Sequence, residues 1–302
     1  MARSTESSRR PQCQLGRRAL LLCGAVTAVL VASASAAGPR QARIGVSYAP
    51  GLDAGFHLLY ELKPADARSQ FVEWQDIHPG DPLGSASEAA SYLFEECYRQ
   101  GVLTSEFFLD DKRLLGEAAV EPDPKGRAAF FASARRAHDL SKLRLTTNAD
   151  DANALFALTL ALGVQADYAA LIEKHQLDGL RLIRNAGDYA KQLLQVAPDA
   201  ADAYLVLGAA NYVIGSQALH KRLSLRFAGI RGDKREGIQQ LEIVAARGRY
   251  LRPFAKILLA LAALREKQTT LARAQLTELV AEFPHNSLFV GELAKLMDTA
   301  QP

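Results

Sequence analysis

An all-α fold is the expectation for this chain of 302 residues, on three observations. Beyond residue 50 the apolar residues of nearly every segment recur with a period near 3.6 rather than 2. Prolines stand where segments begin, in a place that suits a first helical turn, and again just past segment ends. Small residues recur at the spacing that lets two antiparallel helices approach closely. With 49% hydrophobic residues, a sizeable core is available.

The first element is a leader. MARSTESSRRPQCQLGRR is a basic head, ALLLCGAVTAVLVAS an apolar run, and Ala34-Ser35-Ala36 a small-x-small end. That order reads as an export signal over residues 1–36, cleaved to leave 37–302 as one domain and to place it in the periplasm. The run is shorter than the roughly 20 residues of a membrane span, and no second such run is expected. Export is by a secretory or, given Arg17-Arg18, a twin-arginine route. The leader holds five arginines and one glutamate, so its +4 accounts for the whole formal charge of +3 and leaves −1. Basicity therefore belongs to the leader, and nothing global favours nucleic acid. Cys13 and Cys23 fall in the leader. Cys97 then has no disulfide partner and, inside an apolar helical stretch, reads as a buried structural thiol.

The helices follow in order. Pro64 opens KPADARSQFVEWQDI, and Asp123 caps EPDPKGRAAFFASARRAHDLSKL with Pro124 behind it. Over 168–194, Tyr168, Ile172, His175, Gly179, Ile183, Ala190 and Leu194 fall on one stripe. The spacing predicts one helix there of about 27 residues, roughly 40 Å long. Further helices are predicted at 200–214, 234–247, 251–267, 270–283 and 287–298. Residues 102–121 read as a long irregular connection, and no segment reads as a strand.

The helices repeat. Gly55, Ala67 and Pro79 are equally spaced, and Ala260, Ala272 and Pro284 have the same spacing. Phe71 and Leu276 occupy matching places after the second small residue. One small residue on each of two helices permits close approach, a large residue fills the groove beside them, and a proline stops the second helix. A third copy starts at AYLVLGAANY with Tyr204, Leu207 and Gly208, but about 20 residues from Ser216 to Arg235 precede its second helix, EGIQQLEIVAARG. A looser fourth copy pairs ANALFALTLALG with the helix ending LLQVAPD, and NSLFVGELAKLMD reads as the cap that an array's open end needs.

This pattern resembles the tetratricopeptide repeat, a helical hairpin of about 34 residues. The chain resembles exported bacterial tetratricopeptide-repeat proteins. It is more distantly similar to the eukaryotic tetratricopeptide-repeat protein 39 family, through the GxxGD(K/R)xxG segment at Gly229–Gly237. The resemblance covers roughly residues 48–298. It implies stacked antiparallel hairpins, a TPR-like solenoid, and a general role in holding other molecules. It supplies no catalytic residues.

The stretch GIRGDKREGIQQL reads as a corner: Gly232 is expected at a positive φ and Asp233 as the cap of the helix from Lys234. Its glycine spacing and missing hydroxyl do not fit a phosphate-binding loop. Residues 217–252 carry nine basic and three acidic residues, a local +6. Within them, Lys221, Arg222 and Arg226 interleave with leucines in an inserted basic segment, 216–235, whose alternative to a solvated face is contact with an anionic membrane surface. The histidines show no i, i+3 or i, i+4 pair, Glu95-Glu96 diverge on a helix, and no nucleophile elbow or dinucleotide loop is written, so no cofactor or metal is expected and an enzyme is the weaker reading. Asp110 or Asp111 in the 102–121 connection is where such an activity would sit. The leading expectation is a non-catalytic scaffold binding a protein or peptide along a groove lined by Phe56, Tyr60, Leu205, Tyr212 and Arg265. Partner identity and oligomeric state are not written in the sequence.

Overall fold

The computed structural model describes residues 46, 47, 49–116, 120–217 and 231–298. The described residues form one compact unit, within Ala42–Pro302. The leader and most of the basic insert, with Lys221, Arg222 and Arg226, lie outside the described residues. Among them the regular structure is helical throughout. The α-helices are α1 (Pro50–Tyr60), α2 (Pro64–Ile77), α3 (Pro82–Arg99), α4 (Ser105–Leu109), α5 (Asp111–Leu115), α6 (Pro124–Thr147), α7 (Ala152–Asp167), α8 (Gln176–Val196), α9 (Tyr204–Gly215), α10 (Lys234–Arg247), α11 (Arg252–Arg265), α12 (Thr269–Glu282) and α13 (Ser287–Asp298).

Local signals account for the helix starts. Pro50, Pro64, Pro82 and Pro124 sit in first turns, where the missing N–H costs nothing. Asp81, Asp123, Asp151 and Asp233 each accept a hydrogen bond from a backbone N–H of the first turn. The helices then pack in pairs: α1 with α2, α3 with α6, α7 with α8, α9 with α10, and α11 with α12. Each pair also meets the next through α2–α3, α6–α7, α8–α9 and α10–α11, and α13 packs on α12.

Small residues mark the closest approaches. A Cβ on Gly55 would lie 2.2 Å from the Phe71 ring, and Ala67, Ala260 and Ala272 are all buried. Between α9 and α10 the contact is glycine on glycine. A Cβ on Gly208 would lie 3.0 Å from the Gly237 carbonyl, and one on Gly237 would lie 2.5 Å from the Tyr212 nitrogen. Leu241 stands four residues after Gly237, as Phe71 does after Ala67, and packs against Gly208. The inserted segment thus separates two helices in sequence without moving their contact.

The first and last pairs also share their turns. Leu62 and Lys267 both take φ 59°, a left-handed conformation that costs a non-glycine residue roughly 1–2 kcal/mol. The six-residue hydrogen-bonded closure that ends each helix offsets this: Lys63 N donates to Leu58 O at 3.0 Å and Gln268 N to Ala263 O at 2.8 Å. Farther on, Asp81 accepts from Leu83 N at 3.0 Å and Asn286 from Leu288 N at 2.9 Å. Every one of these correspondences has the same offset as Gly55 with Ala260.

Four expectations change. The single helix over 168–194 is two elements: residues Tyr168–Ile172 form a π-helical turn, Lys174 turns left-handed at φ 60°, and α8 starts after His175. A continuous apolar stripe conceals such a break, because the π turn carries the extra residue without moving the stripe off the core. The connection at 102–121 contains α4 and α5. Residues 152–172 do form a run long and apolar enough to cross a membrane, but 72% of its apolar window is buried inside the fold. Such a helix is apolar on nearly all sides because neighbours cover most of it. Gly232 has no positive φ. It is needed for space, since a Cβ there would lie 2.6 Å from Ile214 Cβ.

The first and last pairs meet at Tyr250. The Tyr60 hydroxyl donates to the Tyr250 carbonyl at 3.0 Å, and the Tyr250 ring lies 5.0 Å from Phe56 and 6.1 Å from Phe156. Asn286 Nδ2 donates to the Tyr60 carbonyl at 2.7 Å.

If glycines set the approach of the pairs, Gly237→Ala should lose about 1–3 kcal/mol by overpacking against backbone. Gly163, whose Cβ would meet nothing within 4 Å, should gain about 0.5–1 kcal/mol as alanine through helix propensity. Urea denaturation of both variants checks this, and equal effects would contradict it.

Candidate functional site

The five predicted groove residues do not lie together on an open surface. Phe56 and Tyr60 are buried, each 3% exposed, inside the Tyr250 cluster. That corrects their assignment as partner contacts. A helix facing the inside of an open array would present them, but here Phe71, Phe94, Tyr250 and Phe283 pack against them. Leu205 and Tyr212 are half-buried on α9, on a stripe that ends at Val213, 56% exposed. The Tyr212 hydroxyl donates to the Ala262 carbonyl of α11 at 3.4 Å. Arg265 stands at the end of α11 and is already engaged by the chain itself.

Its partner is the 102–116 segment. Arg265 donates to the Phe108 carbonyl and pairs with Asp111 at 2.8 Å. Ser105 donates through N and Oγ to Glu292 of α13, at 3.2 and 2.6 Å. Glu106 pairs with Lys295 at 2.6 Å, and this bond holds the Glu106 carboxyl below the usual carboxylate range. On the far side Lys174 donates to the carbonyls of Arg113 at 3.0 Å and Leu114 at 3.3 Å, with its ammonium 4.6 Å from the centre of the Phe107 ring. Partial burial lowers the pKa of Lys174. The left-handed turn at Lys174 thus places a cation against three groups of the segment.

Sequence reasoning missed Lys174, Glu292 and Lys295. Lys174 was hidden inside what read as one helix. Glu292 and Lys295 look like any i, i+3 pair on a solvated face. The two carboxylates singled out for chemistry have local work: Asp110 caps α5 by accepting from Lys112 N, and Asp111 is the exposed partner of Arg265. Glu95 pairs with Arg68, and Glu96 accepts from Arg99 and Gln100. Cys97 is buried, and burial pushes its thiol well up, away from a reactive thiolate. No three His, Cys, Asp or Glu side chains converge among the described residues as a metal would require.

Another carboxyl is strongly shifted. Asp167 ends α7 just before the π turn, and burial pushes its pKa up to about 7. In the unfolded chain it titrates near 3.9. Between those values the folded chain holds a proton that the unfolded chain has lost. The contribution to stability is therefore full below about pH 4 and is lost as pH rises through about 7. Asp167→Asn, neutral at every pH, should flatten the fall in urea midpoint between about pH 4 and pH 7; a variant with the same pH slope as wild type over that window would contradict the assignment. No protein-family model matches this chain, and no curated protein does either.

Proposed function

We propose that this chain is an exported, periplasmic scaffold of tetratricopeptide-repeat type that binds a protein or peptide and carries out no chemistry of its own. The observation that carries this reading is the constant offset between the first and last pairs. Their small residues (Gly55 and Ala260), left-handed turns (Leu62 and Lys267) and caps (Asp81 and Asn286) correspond one for one. The glycine contact of α9 and α10 adds support, because Gly208 meets Gly237 across an insertion that breaks the sequence register. Repeated hairpins build surface rather than a reactive pocket, and such surfaces work by holding partners. Export rests on the order of basic head, apolar run and small-x-small end in residues 1–36.

With Phe56 and Tyr60 in the core, the contact surface moves to α9. Leu205, Tyr212 and Val213 present an apolar, partly aromatic stripe, the composition that anchors interfaces. Leu205→Ala with Tyr212→Ala should weaken partner capture by about tenfold or more, as loss of an anchor does, while leaving the helical signal intact. Crosslinking and co-purification from native envelope checks it. Capture unchanged in a folded double variant would contradict the placement.

A further inference from the structure

The segment on Arg265 has the character of a bound ligand. Helix α5 buries no side chain and α4 buries only Phe107. Phe108 and Leu114 are half-buried against the core, and the other ties to the array are polar: half-exposed Glu106 with Lys295, exposed Asp111 with Arg265, Ser105 with Glu292, and the carbonyls taken by Lys174. Exposed pairs of this kind contribute little to stability. A segment with one buried anchor, two half-buried side chains and ties that are largely polar opens before the core does. Its departure uncovers a slot shaped by the Phe107 ring, with Lys174, Arg265 and Lys295 around it and Glu292 beside Lys295.

We propose that this slot is a recognition site for a short acidic helix bearing an aromatic anchor, and that Ser105–Asp111, sequence SEFFLDD, occupies it in the resting chain as a built-in competitor. The proposal rests on the reading of the chain as a peptide-binding scaffold and names the partner's chemistry. Charge and shape choose the occupant: two carboxylates meet Lys295 and Arg265, and one phenyl ring lies against the Lys174 ammonium. A partner binds only the open fraction, so the segment sets the apparent affinity. The α9 stripe is a separate surface, and its partner does not need the slot.

The test uses a fluorescent peptide with the sequence of residues 104–116 and the full chain. Its anisotropy is measured against wild type, Phe107→Ala with Asp111→Ala, and that pair plus Arg265→Glu. The weakened chain should bind at least about tenfold more tightly than wild type, and Arg265→Glu should remove the gain. Hydrogen exchange on wild type should show residues 105–115 opening before α3 and α11, and sooner in high salt. Equal or absent binding by a folded weakened chain overturns the proposal. So does exchange of 105–115 only with global unfolding, which decides the matter if the weakened chain fails to fold. If binding through Leu205 and Tyr212 survives either result, the scaffold stands and the latch alone fails; if that binding is lost while the peptide result holds, the α9 surface is the part in error.

Discussion

The peptide of Tyr250 is held on both sides. Its N–H donates to Asp202 at 3.0 Å, and its carbonyl accepts from Tyr60 at 3.0 Å. Asp202 also accepts from Arg249 N at 2.9 Å and Leu251 N at 3.2 Å, so one buried carboxylate gathers the turn between α10 and α11. Burial pushes that carboxyl's pKa up, and the three N–H groups oppose the shift. A carboxylate taken out of water is tolerated only when its lone pairs are used, and here they are. The turn it fixes leads into α11 and aims the Tyr250 ring at Phe56 of α1 and Phe156 of α7, while Phe283 and Asn286, beyond α12, meet Tyr60. An array that stacked without this joint would leave Phe56 and Tyr60 facing solvent.

Much of the helical plan was legible because it is local. Proline in a first turn, aspartate at a cap and a small residue at a contact act within a few residues of their own position. Lys234–Arg247 forms the helix predicted at 234–247, and Asp233 caps it with two N–H contacts. Equal spacing of small residues was also legible, since the turn between paired helices fixes which residues can face each other. What failed was continuity. An apolar stripe says which face is buried and is silent about a π turn or a single left-handed lysine, so 168–194 read as one rod.

The site was far less legible, for a different reason. Whether an inward-facing side chain lines a groove or fills a core depends on what the far end of the chain covers. Phe56 has the same spacing and chemistry in either case. The partner that buries it, Tyr250, lies nearly two hundred positions on and carries no local mark. The same holds for Arg265: sequence placed it correctly at a helix end and could not foresee that Asp111 and the Phe108 carbonyl already occupy it. Surfaces are written in contacts between distant segments, and those contacts leave periodicity untouched.

Closure of the first pair against the last is directly measurable. In a chain of residues 37–302, without Cys13 and Cys23, spin labels at Ala54→Cys on α1 and Ser287→Cys on α13 occupy exposed positions, and the buried Cys97 does not compete for label. The expected result for pulsed dipolar spectroscopy is one short, narrow distance, because Asn286 bonds the Tyr60 carbonyl. An open stack would separate the labels by the intervening helices, at about 8–10 Å for each layer. A long or broad distribution would contradict the closed joint at Tyr250 and return Phe56 and Tyr60 to the surface.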